Sequence, residues 1–227
     1  MGLLMCSHGK DPVVALASIL TFAEKNYGKH VEEIMENIKK RSLFEQLIAT
    51  IISQNTNWKN TKRALHNLRE YFAEVSPEKI AKADLGTLER LLKPAGLYKV
   101  KSKVIKDLAN EIIRRKLLEI KSAERLRNEL LKIRGIGPKT IDVVLAFSLN
   151  EPILPVDTHI RRISLRIGLT SSRKYYDIRL SLERNIPSKY RVRAHLLLIN
   201  FGRNICKARE PLCGACPASK YCLASRV

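Results

Sequence analysis

Leu130-Leu131-Lys132-Ile133-Arg134-Gly135-Ile136-Gly137-Pro138-Lys139-Thr140-Ile141-Asp142-Val143-Val144 reads as a helix, a glycine hairpin and a second helix. Two glycines around one apolar residue allow a tight turn whose amides stay uncovered. Pro138 suits the first position of the following helix, where its missing N–H costs no hydrogen bond. Open amides at a helix start, reinforced by the helix dipole, form a site for a phosphate, which makes Gly135 and Gly137 candidate anion contacts. A G-x-G turn taken alone serves equally well as a packing device between two helices.

Working outward, apolar residues recur at helical spacing almost everywhere, as in Phe44, Leu47, Ile48, Ile51 and Ile52, and in Val104, Ile105, Leu108, Ile112 and Ile113. No segment alternates like a half-buried strand. Ser76-Pro77 supplies an N-cap and first helical residue, and Pro94, Gly96, Pro152 and Pro155 fall between periodic runs. The pattern predicts an all-α protein of about nine or ten short helices, with its softest boundary at Asn150 to Pro155, where EPILP interrupts two helical stretches.

The 227 residues carry 42 Lys and Arg against 22 Asp and Glu, a formal charge of +20. Such a field gathers polyanions, and counterion release from phosphates makes nucleic acid the leading partner; a merely solvated basic surface is the plainer reading. No uninterrupted apolar span of about 20 residues or basic amphipathic tail supports a membrane partner. The segment Met1 to Lys10 contains Cys6 but lacks a signal-peptide pattern, so a cytoplasmic protein is expected.

Three further features carry chemistry. Cys206, Cys213, Cys216 and Cys222 form a C-x6-C-x2-C-x5-C run, better suited to a soft metal centre than to disulfides; spacing alone admits a zinc ion or an iron-sulfur cluster. Lys139 falls in the first turn of the hairpin's second helix, where the dipole and nearby cations disfavour its protonated form. It is a candidate nucleophile, or a phosphate-binding lysine. Asp157 follows eighteen positions later in Val156-Asp157-Thr158-His159, at an expected helix start, where an aspartate commonly serves as N-cap.

The hairpin GIGPKT, the VDTH segment and the terminal cysteine run, in this order and spacing, resemble the endonuclease III family of helix-hairpin-helix DNA glycosylases. SQNT at Ser53 to Thr56 and GLYKVK at Gly96 to Lys101 agree, so the resemblance covers roughly residues 40 to 225. It implies two helical lobes with double-stranded DNA bound in the groove between them. Residues 39–150 would form a six-helix bundle carrying the hairpin motif at about 123–147. Residues 1–38 and 151–227 would form the second lobe, closed by a 4Fe-4S cluster on the four cysteines.

By the same resemblance, Lys139 attacks the sugar C1′ while Asp157 assists its deprotonation and stabilises the positive sugar. Leu97 corresponds to an intercalating wedge, and Gln54 to the residue filling the vacated base stack. An ungapped alignment selects Asn55 for that role instead. Lys207 and Arg209, in the first loop between cysteines, correspond to phosphate contacts. His159 is read as a brace for the VDTH turn, and Trp58, the only tryptophan, as partly buried packing rather than a DNA-stacking residue. Arg134 and Pro138 depart from the family, which commonly has proline and a basic residue there.

The implied activity is a bifunctional glycosylase and AP lyase acting on damaged bases, oxidised pyrimidines foremost, in a monomer that binds damaged or abasic duplexes. Its alternatives are a monofunctional mismatch glycosylase and a noncatalytic iron-sulfur DNA-binding redox protein. Monofunctional relatives usually carry tyrosine or serine at the Lys139 position.

Overall fold

A computed structural model describes residues 10–226 of the chain, and every regular element among them is helical. The α-helices run α1 (Pro12–Lys39), α2 (Leu43–Ile52), α3 (Trp58–Phe72), α4 (Pro77–Lys82), α5 (Leu85–Leu92), α6 (Tyr98–Arg115), α7 (Ala123–Leu131), α8 (Pro138–Ser148), α9 (Thr158–Ile167), α10 (Tyr175–Asn185) and α11 (Arg191–Asn204). Among the described residues there are thus eleven, against the nine or ten expected, and α1 extends over 28 residues. The extra break falls where Asp84 accepts from the Thr87 amide at 2.9 Å and starts α5 directly after the six-residue α4.

The described chain divides into two units, Asn37–Glu151 and residues 10–36 with 152–226. In the first, α2 is the central helix: every residue from Phe44 to Ile52 is buried. A helix buried on all sides must satisfy its polar groups internally. Here Glu45 accepts from Arg69 at 2.6 Å, Gln46 accepts from Arg41 at 3.0 Å, and the Thr50 hydroxyl donates to the Gln46 carbonyl at 2.8 Å. α2 packs on α8, and α4 and α5 pack on α6, around Leu68, Ile80, Leu88, Leu92, Ile105 and Leu108.

In the other unit, α9 packs on α10 and α11 through Ile160, Ile163, Ile178, Leu182, Leu197 and Phe201. α1 contributes Leu16, Ile19 and Ala23 to the buried set, and the Phe22 ring meets Phe201 edge-on at 6.0 Å. Glu24 fixes α1 further, its Oε2 accepting from the Tyr190 hydroxyl at 2.8 Å and from Arg193 Nε at 2.9 Å. Arg193 also donates to the Gly28 carbonyl at 3.3 Å.

Burial, reinforced by the Glu24 carboxylate, pushes the Tyr190 phenol up to about 12 from an ordinary value of 10.0. The folded chain therefore holds this proton longer than the unfolded chain, so the phenol's contribution is intact below pH 10 and is lost as pH rises toward about 12. In urea unfolding, the stability gap between wild type and Tyr190→Phe is expected to narrow across that window. A gap independent of pH would contradict the assignment.

Candidate active site

The hairpin predicted from the sequence joins α7 to α8. Gly135 has φ +87°, and a Cβ there would lie 2.7 Å from Val104 Cγ2 on α6, so both its conformation and its packing exclude a side chain. Gly137 differs: its φ of −101° is ordinary, and nothing lies within 4 Å of a Cβ built on it. Among the described residues neither glycine amide finds an acceptor, while Ile133 and Ile136, each 5% exposed, anchor the turn inward. The hairpin helices are locked together by an ion pair between Arg127 and the fully buried Asp142. The turn thus presents two open N–H groups on a rigid base, immediately before the α8 dipole.

Lys139 is half-buried in the first turn of α8, and its neighbour Thr140 accepts a hydrogen bond from Gln54 Nε2 at 3.2 Å. That bond brings the SQNT turn against the start of the lysine's helix. Asn55, the next residue, is exposed at φ +52°. Leu97 is 58% exposed at φ +49°, held at the start of α6 behind Gly96 at φ +64°.

One residue that holds this arrangement was not singled out from the sequence. Lys101 is 3% exposed, and its ammonium donates to the Ile52 carbonyl at 2.8 Å and the Ala95 carbonyl at 2.9 Å. It ties the end of α2, just before Gln54, to the turn that carries Leu97, and burial pulls its pKa down. The signal was available: Lys101 stands in helical register with Ile105, Leu108 and Ile112, a core stripe where a lysine is out of place unless its head is satisfied.

In the other unit, Asp157 is the N-cap of α9, its Oδ1 accepting from the Ile160 amide at 2.8 Å. His159 sits where a Cβ on Gly202 would approach within 2.7 Å of its own Cβ, and burial pulls its pKa down, partly opposed by Asp157. Two α9 arginines, which no sequence motif marks, bind the cysteine loop. Arg162 donates to the carbonyls of Cys206 at 2.9 Å and Gly202 at 2.8 Å. Arg166 donates to Cys206 Sγ at 3.3 Å and to the carbonyls of Lys207 at 2.6 Å and Ala208 at 3.1 Å. One helix therefore carries the candidate carboxylate at its start and grips the loop of Lys207 and Arg209, both exposed, further along.

Cys206, Cys213, Cys216 and Cys222 are all unpaired and partly buried, and Cys6 lies outside the described residues. Burial pushes the Cys216 and Cys222 thiols up, and Cys206 and Cys213 add to the effect at both. Among the described residues no group of three or more His, Cys, Asp or Glu is drawn up to hold a metal ion. The donor set itself, four soft sulfurs in one short loop beside a guanidinium, fits a thiolate-bound centre.

Residues 48–188 match the HhH-GPD superfamily base excision DNA repair protein family. Endonuclease III of Sulfolobus acidocaldarius is 40% identical over 186 residues, covering 81% of this chain and 83% of the relative. The chain belongs to the endonuclease III family. Endonuclease III of Thermotoga maritima is 32% identical over 85% of this chain and 88% of its own length. Among solved structures, a trapped endonuclease III–DNA covalent intermediate superposes with a TM-score of 0.73 at 27% identity, covering 86% of this chain and 95% of that one. A thermostable thymine-DNA glycosylase gives 0.74 at 21% identity over 94% and 95%, a likeness of fold alone. This endonuclease III family member has no helix, among the described residues, long and apolar enough to cross a membrane.

The two hairpin glycines should separate in a stability experiment. Gly135→Ala is expected to cost about 1–3 kcal/mol, from its left-handed backbone and the Val104 clash. Gly137→Ala, an N-cap change without a clash, should cost under about 1 kcal/mol. Equal urea midpoints for the two variants would contradict this.

Proposed function

We propose that Lys139 and Asp157 carry the chemistry of this DNA glycosylase and AP lyase, which excises damaged bases, oxidised pyrimidines foremost, and nicks the abasic strand during base excision repair. The observation that supports the reading best is the setting of Lys139: first turn of α8, directly behind two open glycine amides and beside the Gln54–Thr140 bond. The glycosidic bond is hidden inside a duplex, so the damaged nucleotide must first be flipped out. In this reading a backbone phosphate rests on the Gly135 and Gly137 amides, and Leu97 wedges into the opened stack. The Gln54–Asn55 turn fills the gap, with Asn55 the freer of the two because Gln54 is held by Thr140.

Asp157 takes the proton from the Lys139 ammonium and stabilises positive charge on the sugar. The amine then forms a bond to C1′ as the C1′–N bond breaks and the base leaves with its electron pair. Ring opening converts the adduct to a Schiff base, which acidifies the 2′ proton. Loss of that proton and cleavage of the C3′–O bond expel the 3′ phosphate, and water releases the lysine.

Cys206, Cys213, Cys216 and Cys222 would hold a 4Fe-4S cluster. When bound, it supplies a cross-link that stiffens the loop rather than a reacting centre. Lys207 and Arg209 on that loop meet DNA phosphates. The substrate is duplex DNA with damaged or abasic sites, met by a monomer in the cytoplasm.

Borohydride reduction with an abasic-site duplex should trap a covalent complex with wild type and none with Lys139→Ala, which still binds the duplex. Asp157→Asn should slow trapping by about a hundredfold or more. Base release without any wild-type adduct would overturn the lyase reading in favour of a monofunctional enzyme. Iron and sulfide in equal amounts with broad visible absorbance are expected, whereas a colourless zinc protein would contradict the cluster.

A further inference from the structure

α3 buries Ala64, Leu65 and Leu68 and turns a different residue set to solvent. Trp58 at its first position is 57% exposed, contrary to the packing role expected of it. Together with Lys59, Lys62, Arg63 and His66 it lines an open cavity of about 320 Å³. Trp58, Lys62 and His66 recur every four residues, and Lys59 and Arg63 do the same one position on, so all five share one helix face. Lys59, Lys62 and Arg63 are exposed and make no hydrogen bond or ion pair with any described residue. At the far end of the face the Glu70 carboxylate lies 3.9 Å from His66. An exposed indole among cations that no described side chain neutralises matches a polyanion that also offers a flat face.

We infer that this α3 face is a second DNA-binding surface, on which Lys59, Lys62 and Arg63 meet phosphates of the duplex flanking the lesion and Trp58 stacks on a sugar or base edge bared where the stack opens. Continuity with the reading point supports the choice of DNA. Only Thr56 and Asn57 separate the exposed Asn55 from Trp58, and Asn57 caps α3 by accepting from the Asn60 amide at 2.9 Å. The turn proposed to enter the duplex and the aromatic cationic face are thus parts of one short, fixed segment. Phosphate contacts there are sequence-independent and position the duplex, while the stacking contact is tolerant of base identity. The inference rests on the glycosylase reading, since it places the surface beside the opened base stack.

Trp58 is the only tryptophan, so emission excited selectively from the indole, beyond the tyrosine absorbance, reports this face alone. Titrating the wild-type protein with a duplex carrying a reduced abasic-site analogue should quench or shift that emission in step with binding followed by anisotropy. Emission unchanged at saturation would overturn the proposal, as would a response to RNA but not to DNA. In Lys59→Gln/Lys62→Gln/Arg63→Gln the slope of log K against log salt should fall by about two to three, near 0.9 for each phosphate that the variant leaves unneutralised; an unchanged slope would refute it. Trp58→Ala, with helicity checked by circular dichroism, should weaken binding of the duplex about fivefold or more, and an unchanged affinity would refute the stacking contact. Borohydride adducts formed with a silent tryptophan would sink this inference alone, whereas absent adducts would sink the catalytic reading.

Discussion

The ammonium of Lys101 is the constraint on which the hairpin unit depends. Taking that group out of water costs several kcal/mol unless its donors are met, and the carbonyls of Ile52 and Ala95 meet two of its three. Each carbonyl ends a stretch of backbone that would otherwise be free to shift. The first leads into Gln54 and Asn55, the second into Gly96 and Leu97. One buried cation thereby sets the spacing of the two turns expected to enter DNA. The Gln54–Thr140 bond then refers both of them to the helix of Lys139.

The other unit solves a comparable problem with arginines. A cysteine loop of this length buries little apolar surface, and Ala218 is its only fully buried apolar residue among those described. Arg162 and Arg166 on α9 supply the missing order through main-chain carbonyls and one sulfur. The same helix is capped by Asp157, so the carboxylate and the loop that carries Lys207 and Arg209 are indexed to one rigid rod. In the proposed reading the cysteines, conspicuous in the sequence, serve as supporting structure, and the reacting groups lie at helix starts.

What could be read from the sequence follows from how local each signal is. Pro138, Ser76-Pro77 and Asp157 start helices as their types and neighbours suggest, because capping is decided within four residues. The hairpin was legible for the same reason, although only Gly135 is sterically required. Helix count was less legible: α4 is shorter than two turns and gives no periodicity, and α1 runs on through Gly28, where a Cβ would lie 2.5 Å from Glu24 Oε1. Trp58 shares a seven-residue spacing with buried Leu65, so periodicity places it on a packed side. It stands at the first residue of α3, however, and is left exposed. Lys101, Arg162 and Arg166 act on backbone carbonyls distant in sequence, and no local pattern records such partners.

In the proposed mechanism the bond to the sugar is made by the amine of Lys139. This step is tested most directly by digesting the borohydride-reduced complex with trypsin and locating the sugar by mass spectrometry. An alkylated Lys139 resists cleavage, so the adduct should lie on the single peptide Gly135–Arg161, which spans both Lys139 and Asp157. A sugar found on any other lysine, or on the N-terminal amine, would contradict the account.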